Sequence, residues 1–205
     1  NDIAAIIGPS QSAKLDTVAS YCGRKANLKT LIAPFPVSSE VLKKYAGESW
    51  FFALAESDIT QNEILVNQVA AYGAKSIALL AQNSVYGATF IDWFAFHATE
   101  AKLDIKGIFA YDDTTEVDSI AKAAFKSGAE EIVCVPDNYM PIQKILKARA
   151  ATKSKAKIIF GNSILNANIL QLDNIEGIEG FAIGPDPSSG FNIAYNARFS
   201  TYPIM

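Results

Sequence analysis

The sequence predicts an α/β chain built on mostly parallel sheet. Three observations carry this prediction. Strand-like apolar runs recur at nearly even intervals, and most are separated by segments whose apolar residues return at helical spacing. The runs themselves, such as SIALLA and EIVCV, read as strands covered on both faces, the pattern of parallel sheet flanked by helices.

Taken in order, the first strand is IAAII (3–7), which breaks at Gly8 and Pro9. Leu15, Val18, Ala19 and Cys22 then follow at i, i+3, i+4 and i+7 and predict a helix. TLIA (30–33) and WFFAL (50–54) are the next two strands. Leu65, Val69 and Tyr72 share one helical face, and Asp58 with Gln61, or Thr60 with Glu63, offers a capping box at that helix's start. SIALLA (76–81) leads to a helix through Phe90, Trp93, Phe94 and His97, and IKGIFAY (105–111) to one through Val117, Ile120, Ala121 and Ala124. EIVCV (131–135) precedes a helix through Ile142, Ile145 and Leu146, and KIIF (157–160) and EGFAI (179–183) complete eight strands. Gly73 and Gly128 stand where helices should stop. There is no fixed repeat, low-complexity tract or long charge run. Two places read as crossings between lobes rather than ordinary joints: 50–60, where WFFAL runs through AESD into a helix, and GPDPSSG (184–190).

With 205 residues, 50% of them hydrophobic, the chain can close one large core or two smaller ones and is expected to be globular and soluble. Its 18 basic and 21 acidic residues give a net charge of −3 with no basic patch, which argues against nucleic acid or an anionic membrane as partner. No apolar run approaches the roughly 20 residues that span a bilayer. Asn1 is preceded by no signal segment, so any such segment is expected to have been removed. Cys22 and Cys134 lie far apart on apolar stretches and read as buried thiols rather than a disulfide or metal pair.

In doubly wound sheets ligands sit beyond the carboxyl ends of the strands, so the loops after each strand are the candidate site. Those loops are GPSQS (8–12), PFPVSS (34–39), AESD (55–58), QNSVYG (82–87), YDDTT (111–115), PDNYM (136–140), GNSILN (161–166) and GPDPSSG, rich in hydroxyl, amide and Tyr groups. GPSQSAK lacks the second glycine and the lysine placement of a P-loop, and equally the GxGxxG of a dinucleotide site. The helix start after Gly8 still offers free N–H groups suited to a carboxylate. Ser10 lacks the closing glycine of a nucleophile elbow, and the sole histidine, His97, falls on an apolar stripe and reads as packed. Asp112 and Asp113 read as a turn before a helix cap, and Glu130 and Glu131 as a solvated face at the end opposite the site. No metal spacing is present, and no cofactor is expected. Tyr86 and Tyr139, at loop-to-helix joints, present a flat face with a polar tip that suits either a small ligand or packing on their own lobe.

AAIIGPSQS (4–12), LIAPFPVSSEVL (31–42), FFALAESDITQ (51–61), IALLAQNSVYG (77–87) and FNIAYNARFSTYP (191–203) together resemble the type I periplasmic-binding-protein fold, especially its branched-chain amino-acid (Leu/Ile/Val) branch shared with receptor ligand-binding regions. The resemblance lies in their order and spacing across the chain. It implies two lobes with parallel doubly wound sheets, the first comprising 1–56 and 186–205 and the second 57–185, closing on a small solute at a hinge. It further implies a non-enzymatic, periplasmic or cell-surface protein, with a lipid anchor conceivable through a missing N-terminal segment, that hands its ligand to an ABC-type permease or a signalling partner. Members carry two further βα units before the strand matching IAAII and continue past TYPIM. The chain therefore reads as an incomplete fragment, with an open sheet edge at residues 3–7 for missing flanks or a second copy, a homo-oligomer, to cover.

By the same resemblance, Ser10, Gln11 and Ser12 cradle a ligand carboxylate, and Phe35, Pro36 and Val37 occupy the next contact loop. Tyr86 matches the second-lobe tyrosine, Asn138 or Tyr139 a further contact, and Ser163 the place where amino-acid binders carry an acid for the ligand's ammonium. Ser163 supplies no charge, though Asp137 is near, and Phe35, Pro36 and Val37 replace small residues and a threonine. These departures favour a less polar carboxylate or an aromatic ligand. Two rival readings are a sensor domain of the same fold and a serine hydrolase using Ser10.

Overall fold

The structure is a computed structural model describing residues 3–112, 117–164, 166–181 and 190–201. All eight expected strands form, as β1 (Ala5–Ile7), β2 (Thr30–Ala33), β3 (Phe51–Ala53), β4 (Ser76–Gln82), β5 (Asp104–Tyr111), β6 (Glu131–Val135), β7 (Lys157–Phe160) and β8 (Ile178–Gly180). They make two sheets, a three-stranded one in the order β1-β2-β3 and a five-stranded one in the order β5-β4-β6-β7-β8, and every pair is parallel. Five expected helices form as α1 (Ser12–Cys22), α3 (Asp58–Ala71), α4 (Val85–Glu100), α5 (Val117–Phe125) and α6 (Ile142–Thr152). Two more, α2 (Ser39–Tyr45) and α7 (Gly190–Phe199), were not among the elements read from periodicity. α2 spans only two turns, too short to display a period, and is marked instead by its cap: the Ser38 hydroxyl accepts from the Val41 N–H. Gly73 and Gly128 follow α3 and α5 with φ near +83° and +82°, the left-handed values expected at helix ends.

β4 organises the larger sheet. All seven of its residues are buried, and their side chains alternate between two cores. Ile77, Leu79 and Ala81 face Leu65, Val66 and Val69 of α3 and Phe90, Phe94 and Ala98 of α4. Ala78 and Leu80 face Val117, Ala121 and Ala124 of α5 and Ile142, Ile145 and Leu146 of α6. Cys134 lies in this second core and Cys22 in that of the smaller sheet, both as free thiols. In the smaller sheet α1 and α2 pack Leu15, Ala19, Cys22, Val41 and Tyr45 against Leu31, Ala33 and Phe51. The opposite face shows Ile7, Phe52 and Leu54 to solvent, and β1 is an outer strand.

The two sheets meet through α4 and the start of α3. Val85 packs against the smaller core, and buried Thr89 accepts a 3.1 Å bond from the Ser39 N–H at the start of α2. Asp58 N–H donates to Val37 C=O at 3.2 Å. That bond takes the N–H that Gln61 would have bonded in an Asp58–Gln61 capping box, and the Thr60–Glu63 box fails because the helix already starts at Asp58 with Ser57 as its N-cap, which makes no side-chain capping bond. The expectation for Glu131 also fails. It is buried, facing the α3 side of the sheet opposite Lys157 in register, whereas exposed Glu130 accepts from the Lys75 N–H. The return crossing expected over 184–190 lies, apart from Gly190, outside the described residues, as does Asp113.

Leu79→Ala should cost about 2–5 kcal/mol, because β4 is enclosed and cannot collapse onto the lost volume. Urea unfolding followed by far-UV circular dichroism measures it.

Candidate ligand-binding cleft

In the larger sheet the chain runs from β4 outward to β5 and then returns to β6 on β4's other side. The connections leaving β4 and β6 therefore go to opposite faces, α4 to one and α6 to the other. This opens a crevice beyond their carboxyl ends. Gln82 ends β4, and Asp137 and Asn138 follow β6. The loop after β1 and Pro36 after β2 face the same crevice from the smaller sheet. Together Ser10, Gln11, Ser12, Ala13, Pro36, Asp58, Gln82, Tyr86, Asp137, Asn138 and Asn162 enclose a cavity of about 230 Å³. A larger hollow of about 500 Å³ opens at the other end of the strands, near Tyr72 and Lys157. It draws on the five-stranded unit alone, so the crevice fed by both sheets is the better ligand site.

On the first-lobe side, Gly8 N–H donates to Ile32 C=O and holds the loop beside β2. Gln11 is extended at the N-cap of α1 and makes no side-chain capping bond, and the first N–H groups of a helix have no partner within it. Ser12 is buried and accepts from the Ser38 N–H at 3.3 Å, which leaves its hydroxyl proton free to point at an acceptor. This wall donates.

The opposite wall accepts. Asp58 is 1% exposed, and its Oδ2 has no hydrogen-bond partner among the described residues. Burial pushes its carboxyl up to about 7 by disfavouring the charged form. Asp137 is committed differently, accepting from Ser84 Oγ while its N–H donates to Gln82 Oε1 at 3.1 Å. Ser84 Oγ in turn accepts the Gly87 N–H at the start of α4, so Asp137 braces the helix that carries Tyr86.

Seven of the eleven residues singled out from the sequence line this cavity: Ser10, Gln11, Ser12, Pro36, Tyr86, Asp137 and Asn138. The other four do not. Val37 is buried in the smaller core, and Phe35 is exposed outside the cavity. Tyr139, half-buried, packs on the core of the larger sheet, and the Ser163 hydroxyl is buried with no partner among the described residues. Asp58 and Gln61 were read as helix-cap residues. An acid just inside a helix looks the same whether it caps or faces a cleft, so only the docking of α3 distinguishes the two. His97 is buried between Trp93 and Phe96, as expected, and lies outside the cavity, so Ser10 has no histidine base in the cleft. No cluster with metal-ligand spacing and no helix long and apolar enough to cross a membrane occurs among the described residues.

The sequence pattern of a family described as "Periplasmic binding protein" matches residues 1–202. The chain belongs to that family. Similar solved structures include a leucine-binding protein from Thermotoga maritima, 17% identical with a TM-score of 0.80, the match covering 98% of this chain and 59% of that one. An ABC transporter substrate-binding protein from Desulfitobacterium hafniense is 16% identical with a TM-score of 0.75, covering 98% and 59%. An extracellular ligand-binding receptor from Verminephrobacter eiseniae is 16% identical with a TM-score of 0.72, covering 97% and 60%. The chain thus spans about 60% of the length of these structures, and at such identities they establish the fold alone. No curated protein matches the chain. The parallel two-sheet architecture agrees with the fold expected from the sequence.

Asp58 also sets a pH dependence of stability. Its unfolded pKa is about 3.9 and its folded value about 7, so between these the folded state holds a proton that the unfolded state releases. Stability contributed by this group therefore falls as pH rises from about 4 to about 7. Asp58→Asn should remove that slope and raise stability at pH 8, where burying the ionised form costs about 1.4 kcal/mol for each pH unit between the two values, measured by urea unfolding across the pH range.

Proposed function

We propose that the chain is the ligand-capturing part of an extracytoplasmic solute-binding protein serving an ABC-type transporter, and that its ligand is a small amino acid held between two lobes. The lobes would be those anticipated from the sequence, 1–56 with 186–205 and 57–185. Hinge closure would bring the donor wall at Ser10–Ser12 and the acceptor wall at Asp58 onto opposite ends of one small molecule.

The observation that carries this reading is the Asp58 carboxyl, whose Oδ2 has no partner among the described residues, in a cavity fed by both sheets. A buried acceptor with no partner is costly and becomes favourable when a ligand supplies a donor, most strongly a cation. The lack of charge at Ser163 had pointed to a ligand without an ammonium group. Asp58 removes that reason, because it places a carboxylate in the cleft from a different element. The α1 start and the Ser12 hydroxyl suit the ligand's own carboxylate. The family match and the leucine-binding and substrate-binding neighbours support the class of function without naming the ligand.

Thermal-shift measurements on the chain with L-leucine, 4-methylpentanoate and 3-methylbutylamine test each wall separately, since the second compound lacks the ammonium group and the third the carboxylate. L-Leucine at about 100 times its Kd should add about 2.7 kcal/mol of apparent stability. Both truncated compounds should bind at least about tenfold more weakly. Binding of the cationic compounds should weaken as pH falls from 8 to 5.5, because Asp58 then holds its proton. Equal shifts from all three compounds, or none from any amino acid, would sink the reading.

A further inference from the structure

Tyr86 lines the cleft, yet its hydroxyl is spent inside the second lobe. It donates to Gln61 Oε1 at 2.5 Å and takes a hydrogen bond from the Asn162 backbone. Its ring meets Phe90 edge-on, with centroids 5.1 Å apart. Directly behind the hydroxyl is Gly161, the first residue after β7. A Cβ on Gly161 would come 2.7 Å from Tyr86 Oη and 3.3 Å from Gln61 Oε1. The Gly161 backbone is anchored, since its N–H donates to Cys134 C=O at 3.0 Å, and its φ is not in the left-handed region. Glycine is therefore favoured here by the close approach of Tyr86 rather than by backbone conformation.

We infer that Gly161 and Gln61 are positioning residues that hold the Tyr86 hydroxyl in its bonds within the protein, so that the ligand meets the ring and not a free phenol. The site is thereby built to take an apolar part of its ligand against Tyr86. A methyl group on Gly161 has one inexpensive outlet: the anchored strand end and Phe90 stay, and the phenol moves toward the open cleft, where it occupies ligand space.

This inference rests on the cleft reading for its affinity arm, and its stability arm stands without it. The experiment is a double-mutant cycle between Gly161→Ala and Tyr86→Phe, read by thermal unfolding and by L-leucine titration calorimetry. Gly161→Ala alone should lower the melting temperature by about 3 °C or more and weaken L-leucine binding about tenfold. In the Tyr86→Phe background, where the clashing oxygen is gone, the same substitution should change the melting temperature by less than about 1 °C and affinity by less than about twofold. Tyr86→Ala should cost at least about tenfold more affinity than Tyr86→Phe, since it removes the ring. Additive effects of the two substitutions on the melting temperature, or equal losses from Tyr86→Phe and Tyr86→Ala, would overturn the inference. Coupled melting temperatures with no L-leucine binding by any variant would uphold the positioning and count against L-leucine as the ligand.

Discussion

A parallel strand can be followed by another only after a crossover along one face of the sheet, and the rest of this structure follows from that constraint. Every loop leaving a strand emerges at the same end of its sheet, and the loops that precede strands gather at the other. Two parallel sheets joined with those loop-bearing ends facing each other concentrate hydroxyl, amide and carboxylate groups in one crevice, whatever chemistry the loops carry. Order then refines position. Because β6 lies on the far side of β4 from β5, the crevice opens where the connections diverge, beside Gln82 and Asp137.

The join between the sheets and the walls of the cleft use overlapping residues. Val85, Tyr86 and Thr89 lie within five consecutive positions at the start of α4, and they pack on the first core, line the cavity and receive the Ser39 bond, respectively. Asp58 likewise sends its backbone N–H to the first lobe and its side chain to the cavity. A small rotation between the lobes therefore has to move cavity walls. The proposed capture by closure would work through that coupling.

The polar groups in the cleft are unequal in what they still have to give. Asp137 and the Tyr86 hydroxyl are bonded within the protein, while Asp58 Oδ2 has no partner among the described residues. A buried oxygen without a partner is an energetic liability in the empty protein, and a ligand that relieves it gains specificity from that cost. The smaller sheet carries a different liability in the exposed Ile7, Phe52 and Leu54.

Sequence alone determined the eight strands, five of the helices and the parallel class. Those depend on local periodicity and on apolar content dense enough to require cover on both faces. It also carried the order of loops that, through family resemblance, placed Ser10–Ser12 and Tyr86 at a site. Tertiary structure decided the functions of residues whose local pattern fits two environments. Asp58 fits a helix cap as well as a cavity wall, Gln61 a cap as well as a partner for the Tyr86 hydroxyl, Glu131 a solvated pair as well as a buried strand end, and Val37 a contact loop as well as a core. Gly161 was invisible for the same reason. The preference for glycine there comes from a tyrosine 75 positions earlier in the chain that the fold brings to 2.7 Å from where a side chain would begin. Spacing along a chain records which residues share a face of one element; it does not record which elements that face will meet.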